Sequence, residues 1–428
     1  MTLSRTQTLL AAGIAILLNA HYTAAQTSEI KSDEIHTLLV RVNDEWGKPP
    51  VANMAEEDEI VIRFDRLTHE YRRFEYTIRH CNADWTPSDL MEIDYLEGFN
   101  GNPVENYEPS MNTLVEYTHY SLRIPNEQVR LTRPGNYEVV FYDRDGEDNE
   151  AAAIARFSLL QTRVAISATV SSNTDIDLNR THQQVSFGVN YKGISVSNPA
   201  EEIKVVVRQN NRTDNQVAGI KPTYITGNGV RYEHNRALIF DAGNEYRRFE
   251  MLAYNQPGMG FDRTERYGEY YHATLHTDRP RRNYVYDEDQ NGAFLIRNDE
   301  SRSASANPDS ESDYLLVHFT FLPDGHIPEG NIYLEGDFTH HRLTPAYEMK
   351  YNPEKRIYET TQLLKLGYYN YQYIFRPEEA GDGVPQSTLS PTEGNFYQTE
   401  NEYQIYVYHR PFGNRSDDLI GFLRIGNQ

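Results

Sequence analysis

YRRFEYTIRHCNADWTPSDLMEIDYLEGFN, residues 71–100, changes character half-way along, and the fold is read outward from that change. From Arg73 to Arg79 the side chains alternate: Phe74, Tyr76 and Ile78 point one way, and Arg73, Glu75, Thr77 and Arg79 the other. That period of two is the pattern of a half-buried strand. The strand ends in His80-Cys81-Asn82-Ala83-Asp84-Trp85, and Thr86-Pro87-Ser88-Asp89 breaks the chain. An irregular run follows, with Leu90, Met91, Ile93, Tyr95 and Leu96 before Gly98 to Pro103. A structureless loop this long is uncommon in a compact domain. The inserted segment, at about 82–112, is therefore expected to fold back over its sheet.

His80 beside Cys81, the chain's one cysteine, raises the question of a histidine-activated thiol. Neighbours on an extended strand face opposite ways, so the two side chains cannot meet. Cys81 is expected to act as a small buried hydrophobe and Trp85 as a packing anchor. With one cysteine there is no intramolecular disulfide, and stability must come from ordinary cores.

Outside this stretch, short alternating runs recur at the spacing of β-sandwiches, tyrosine is frequent at 32 residues, and amphipathic helical patterns are scarce. The fold is expected to be all-β, with three consecutive immunoglobulin-like or fibronectin-like sandwiches. Residues 1–25 read as a secretory signal: Arg5 in a short head, an apolar run from Leu9 to Leu18, and small residues at Thr23 and Ala25. That run is too short to span a membrane. No cysteine stands near the expected cleavage point before Gln26, so no lipid anchor is expected. The first sandwich is placed at 26–161 and the second at 162–296. A polar linker, RNDESRSASANPDSESD, fills 297–313, and the third sandwich occupies 314–428. The hexapeptide EYRRFE occurs at 70–75 and again at 245–250, too short a repeat to carry an argument.

The net charge is -22, and about -23 once Arg5 leaves with the signal. Nucleic acid and anionic lipid recruit Lys and Arg, so both are disfavoured. An acidic exported protein is better suited to protein partners or cationic ligands.

Enzyme signatures are missing from the sequence: no Gly-X-Ser-X-Gly elbow, no His-Glu-X-X-His, no Gly-X-X-X-X-Gly-Lys and no cysteine pairs. With 63 acidic residues, paired carboxylates discriminate nothing. Asp287-Glu288-Asp289-Gln290-Asn291-Gly292 matches the first half of a calcium loop, with oxygens on Asp287, Asp289 and Asn291. The position that should close the cage is Asn298, so a structural turn is expected. Asp143 to Asp148 reads as a solvated hairpin tip and His340-His341 as a solvated turn. No catalytic, cofactor-binding or metal residues are assigned, and no cofactor or small-molecule ligand is expected.

The string HCNADWTPSDL at 80–90, with Tyr95-Leu96-Glu97-Gly98-Phe99 and Tyr107-Glu108-Pro109-Ser110, resembles the plug protein family of the type IX secretion system of Bacteroidota. The resemblance continues through Tyr117-Thr118-His119-Tyr120, Gly135-Asn136-Tyr137, Arg208-Gln209-Asn210, Asn244 to Phe249 and Leu366 to Tyr373, in order along nearly the whole mature chain. It implies a non-catalytic periplasmic protein, held at the outer membrane by its partner, the large β-barrel translocon, whose periplasmic end it seals. It implies no direct membrane insertion. A second reading, a periplasmic carbohydrate-binding module, rests on the row Tyr369, Tyr371 and Tyr373 as a sugar-stacking surface; cross-strand packing is the alternative use of such a row.

Overall fold

The computed structural model describes residues 26–146, 150–254, 258–299, 307–325, 327, 329–378 and 387–426. The expected signal at 1–25 and the linker residues 300–306 lie outside them. Alternating β-branched and aromatic residues make strands nearly everywhere, because such side chains suit a pleated surface with one face buried.

The first unit is two sheets packed face to face. One runs in the order Glu29–Ile30, Ala151–Leu160, Gly135–Asp143, Phe74–Cys81 and Asn102–Pro103; the other runs Ile35–Val42, Ile60–Arg66, Thr118–Ile124 and Asn106–Pro109. The predicted alternation holds, with Phe74, Tyr76 and Ile78 buried and Arg79 exposed. Phe64 anchors the core, its ring 5.1 Å from Phe74, 5.2 Å from Tyr120 and 5.0 Å from Phe141. Asp143 Oδ1 accepts from Asp145 N and Gly146 N at 3.0 and 3.1 Å and closes the near side of the hairpin tip; 147–149 lie outside the described residues.

The second unit packs a sheet ordered Ala165–Ser171, His182–Asn190, Gly229–Tyr232 and Tyr224–Thr226 against one ordered Val217–Ala218, Ile203–Gln209, Glu402–His409 and Asp418–Gly426. Half of that second sheet comes from the C-terminal end of the chain. Ile203 lies opposite His409 and Gln209 opposite Tyr403. The divisions expected at 162–296 and 314–428 are crossed here, because the apolar faces of Val205 and Val207 are covered together with Ile405 and Val407 in one core.

They are crossed again in the third unit, one nine-stranded sheet that encloses its own core. Arg247–Met251 pairs with Gly367–Pro377, and Tyr270–Leu275 runs parallel to Tyr314–Phe321. Tyr369, Tyr371 and Tyr373 are 1%, 5% and 0% exposed. The tyrosine row is thus cross-strand core, with Tyr369 stacked on Phe249 and Phe294 and Tyr371 and Tyr373 packed against Phe319 and Phe321, and it has no ring face open to a sugar.

The three units are joined by buried polar contacts. Residues 307–313, which composition assigns to a linker, dock as the short helix Pro308–Glu311 with Ser310 and Ser312 fully buried. The Asp313 carboxylate accepts from Leu114 N and Val115 N at 2.6 and 3.0 Å, and Tyr117 donates to Ser312 O at 2.8 Å. Small serines and an aspartate read as linker in composition, but here Ser310 and Ser312 are small enough to be buried in the joint and the Asp313 carboxylate satisfies two backbone amides of the first unit. Elsewhere, Leu160 of the first unit packs with Val206, Tyr406, Tyr408 and Leu419 of the second.

Candidate interaction surface

The inserted segment is fixed at every step. Asn82 N donates to Thr86 O at 2.8 Å and Trp85 N to Asn82 O at 2.9 Å, a tight turn that places Trp85 at φ +66 with its ring buried. His80 is buried beneath it, Nδ1 3.0 Å from Ser88 Oγ and Nε2 3.1 Å from Pro134 O. Burial lowers its pKa below the usual imidazole range. Cys81 is fully buried, and burial, followed by the Glu138 charge, pushes its thiol far above the ordinary value. Neither group is presented for chemistry.

Farther on, Asn100 takes the place of a strand residue. Its Oδ1 accepts from Ile78 N at 2.7 Å and its Nδ2 donates to Ile78 O at 3.0 Å, while Glu92 Oε1 accepts from Asn100 N at 3.0 Å. Tyr95 turns inward and donates to Ile78 O at 3.1 Å. The segment folds back as expected, yet it leaves Met91, Ile93 and Phe99 outside, 68%, 84% and 81% exposed. Sequence reasoning counted Met91 and Ile93 among residues with surface to bury; only Tyr95 and Leu96 of that run are buried.

The tip of the C-terminal hairpin adjoins this segment. Arg415 Nη2 donates to Asp94 Oδ2 at 2.7 Å, Asp89 N donates to Arg415 O at 3.3 Å, and Ala83 N donates to Asp417 Oδ2 at 3.0 Å. Arg133 joins the hairpin through Asp418 Oδ1 at 3.1 Å. Phe412 stands at the head of the tip, 101% exposed. Two loops from different units, joined through Arg415 and Asp417, thus each carry large apolar side chains into water: Met91, Ile93 and Phe99 on one, Phe412 on the other. Large apolar side chains left in water on adjoining loops make this end of the molecule the candidate contact surface. No signal in the sequence placed Phe412 here, because the hairpin reaches the insertion only through tertiary pairing.

The remaining candidates are committed within the fold. Asp287 pairs with Arg248 at 2.6 Å. Asp289 accepts from Tyr246 N and, at 2.8 Å, from Asn291 N. Burial raises the Asp289 carboxyl to about 7. The loop is thus tied into the third unit as a turn. His340 and His341, expected in solvent, are a correction: His341 is 4% exposed, bonded to Glu335 through Nδ1 and to Asp337 through Nε2 at 2.6 Å. The fully buried Glu335 needs a cationic partner, and His341 supplies it. A cavity of about 100 Å³ lies where the three units meet, lined by Arg156, Arg208, Trp85, Phe294 and His341 among others. It has room for a few waters.

A family model described as the type 9 secretion system plug protein 1st domain matches residues 35–161. Among solved structures, the crystal structure of a hypothetical protein from Parabacteroides merdae ATCC 43184 is similar over 94% of this chain and 100% of that chain. The two share 41% sequence identity and superpose with a TM-score of 0.89. No curated protein matches.

Proposed function

The chain belongs to the type 9 secretion system plug protein family, and we propose that it seals the periplasmic end of the outer-membrane translocon barrel of that system without catalysing a reaction. The observation that carries this reading is the exposure of Met91, Ile93, Phe99 and Phe412 on two loops joined by Arg415 and Asp417. Met91, Ile93 and Phe99 lie inside the span that matches the family, and Phe412 is braced against that span by the Arg415 to Asp94 ion pair. Sealing is steric work. It needs a stiff body and a partner-specific face, and three units tied by buried ion pairs supply the stiffness. The exported, acidic character of the chain supports a periplasmic location at the outer membrane, reached through the barrel rather than by insertion. Among the described residues no helix is long and apolar enough to cross a membrane.

The test is permeability. Cells that keep the barrel but lack this protein should become sensitive to antibiotics too large for ordinary porins. Unchanged sensitivity would overturn the sealing role.

A further inference from the structure

His272 and His318 stand on the neighbouring parallel strands Tyr270–Leu275 and Tyr314–Phe321 of the third unit. Ala273, Leu275, Val317 and Phe319 turn into the core, so alternation puts both histidines on the opposite, half-exposed face. His272 Nδ1 lies 2.9 Å from His318 Nε2, and the rings are parallel to within 6°. The other His318 nitrogen, Nδ1, is 2.9 Å from Thr361 Oγ1. Tyr267 stacks on His272 with ring centroids 3.6 Å apart.

We propose that His272 and His318 form a two-histidine site for a late first-row divalent cation, Cu²⁺ or Ni²⁺ ahead of Zn²⁺. Two imidazole nitrogens, each about 2.05 Å from an ion and set at a right angle, lie about 2.9 Å apart, whereas a tetrahedral angle separates them by about 3.3 Å. The observed 2.9 Å, the length of the hydrogen bond now joining the two rings, already equals the right-angle value, so an ion could replace the proton without moving the strands apart. That angle suits the tetragonal geometry of Cu²⁺ and Ni²⁺, which also bind nitrogen sites more tightly than most divalent ions.

The proton balance closes. In the tautomer where His318 Nδ1–H donates to Thr361 Oγ1, a lone pair is left on His318 Nε2. In that arrangement His272 Nδ1–H donates to the lone pair, and moving this proton to His272 Nε2 frees the second ligand with no net proton loss. Among the described residues no third His, Cys, Asp or Glu completes a ligand set, so water fills the remaining positions and the ion exchanges. Thr361 orients the ligand from outside the coordination shell, as such partners of metal-bound histidine do. A bound ion would cross-link the parallel strand pair near the edge of the nine-stranded sheet.

The test uses the untagged mature chain, titrated with Ni²⁺ by calorimetry and with Cu²⁺ by electron paramagnetic resonance at neutral pH. The expected result is one ion per chain, at least about tenfold weaker in His272→Gln and in His318→Gln, and about tenfold weaker in Thr361→Val. Absence of saturable binding, or binding unchanged in both histidine variants, would overturn the site. If the variants fail to fold, the Cu²⁺ spectrum of the unaltered chain decides: coupling to two nitrogens supports the site, and ligation by oxygen or by one nitrogen contradicts it.

Discussion

Lys365 Nζ donates to Asp65 Oδ2 across 2.6 Å, a pair 300 residues apart in the chain in which both side chains are 1% exposed. Tyr314 donates to the same oxygen at 2.6 Å, His119 Nδ1 lies 2.6 Å from the other oxygen, and the ammonium sits 4.1 Å from the Tyr117 ring centroid. Asp65 belongs to the first unit and Lys365 to the third. The pair therefore fixes how the two units sit against each other.

Replacing Lys365 by Met should cost about 3–5 kcal/mol in a urea unfolding experiment, because Asp65 would be left charged and buried without its cation. Adding Asp65→Asn should recover part of that loss, since the pair acts as one unit. Equal losses that simply add would show that the two groups are independent.

Stability should fall at both ends of the pH range, for different residues. Burial alone would raise the Asp65 pKa, but Lys365 and His119 hold it below the usual carboxylate range. Its contribution is present above the unfolded value, about 3.9, and is lost as pH falls through the folded one. Burial alone would lower the His341 pKa, but hydrogen bonds and charges from Asp337 and Glu335 raise it to about 10. Its contribution is complete below about pH 6.5 and is lost as pH rises through the folded value. Unfolding free energy measured against pH should therefore lose part of its alkaline slope in His341→Asn and part of its acid slope in Asp65→Asn.

Tyr369→Ala should destabilise by about 3–5 kcal/mol, the range for deleting a large buried aromatic side chain. The ring stacks on Phe249 and Phe294, and its hydroxyl donates to Lys365 O at 2.5 Å. Thermal melting checks this. An unaltered melting temperature would place the side chain at the surface.

The strands themselves were legible in the sequence, because a period of two needs only local side-chain contrast. Phe74 to Ile78 illustrates this directly. Which strands pair was not legible: nothing in Val205 or Val207 points to Ile405 and Val407 rather than to nearer apolar runs. The polar joints were also hidden. Ser310, Ser312 and Asp313 have the composition of a solvated linker and become structural only when the first unit covers the serines and brings the amides of Leu114 and Val115 to Asp313. His341 misled for the same reason, since its partner Glu335 reads as one more surface acid until the turn closes over it. Of the candidate surface, the insertion stood out in the sequence, while Phe412 joined it only through the pairing of the C-terminal hairpin with the second unit.

That pairing gives a further test. Deleting 402–426 removes two of the four strands of one sheet of the second unit and uncovers Val205 and Val207. The truncated chain should lose the cooperative unfolding of the second unit and become protease-sensitive between 162 and 240 while the first unit stays protected. Limited proteolysis with mass analysis reads this out.

The central claim is that these two joined loops meet the barrel, and co-purification from detergent-solubilised outer membranes tests it most directly. A tagged copy should recover one very large barrel protein. The double variant Ile93→Asp with Phe412→Asp, at positions 84% and 101% exposed, should melt at the same temperature and recover none. Failure of the unaltered protein to recover a barrel, or undiminished recovery by the folded double variant, would contradict the account.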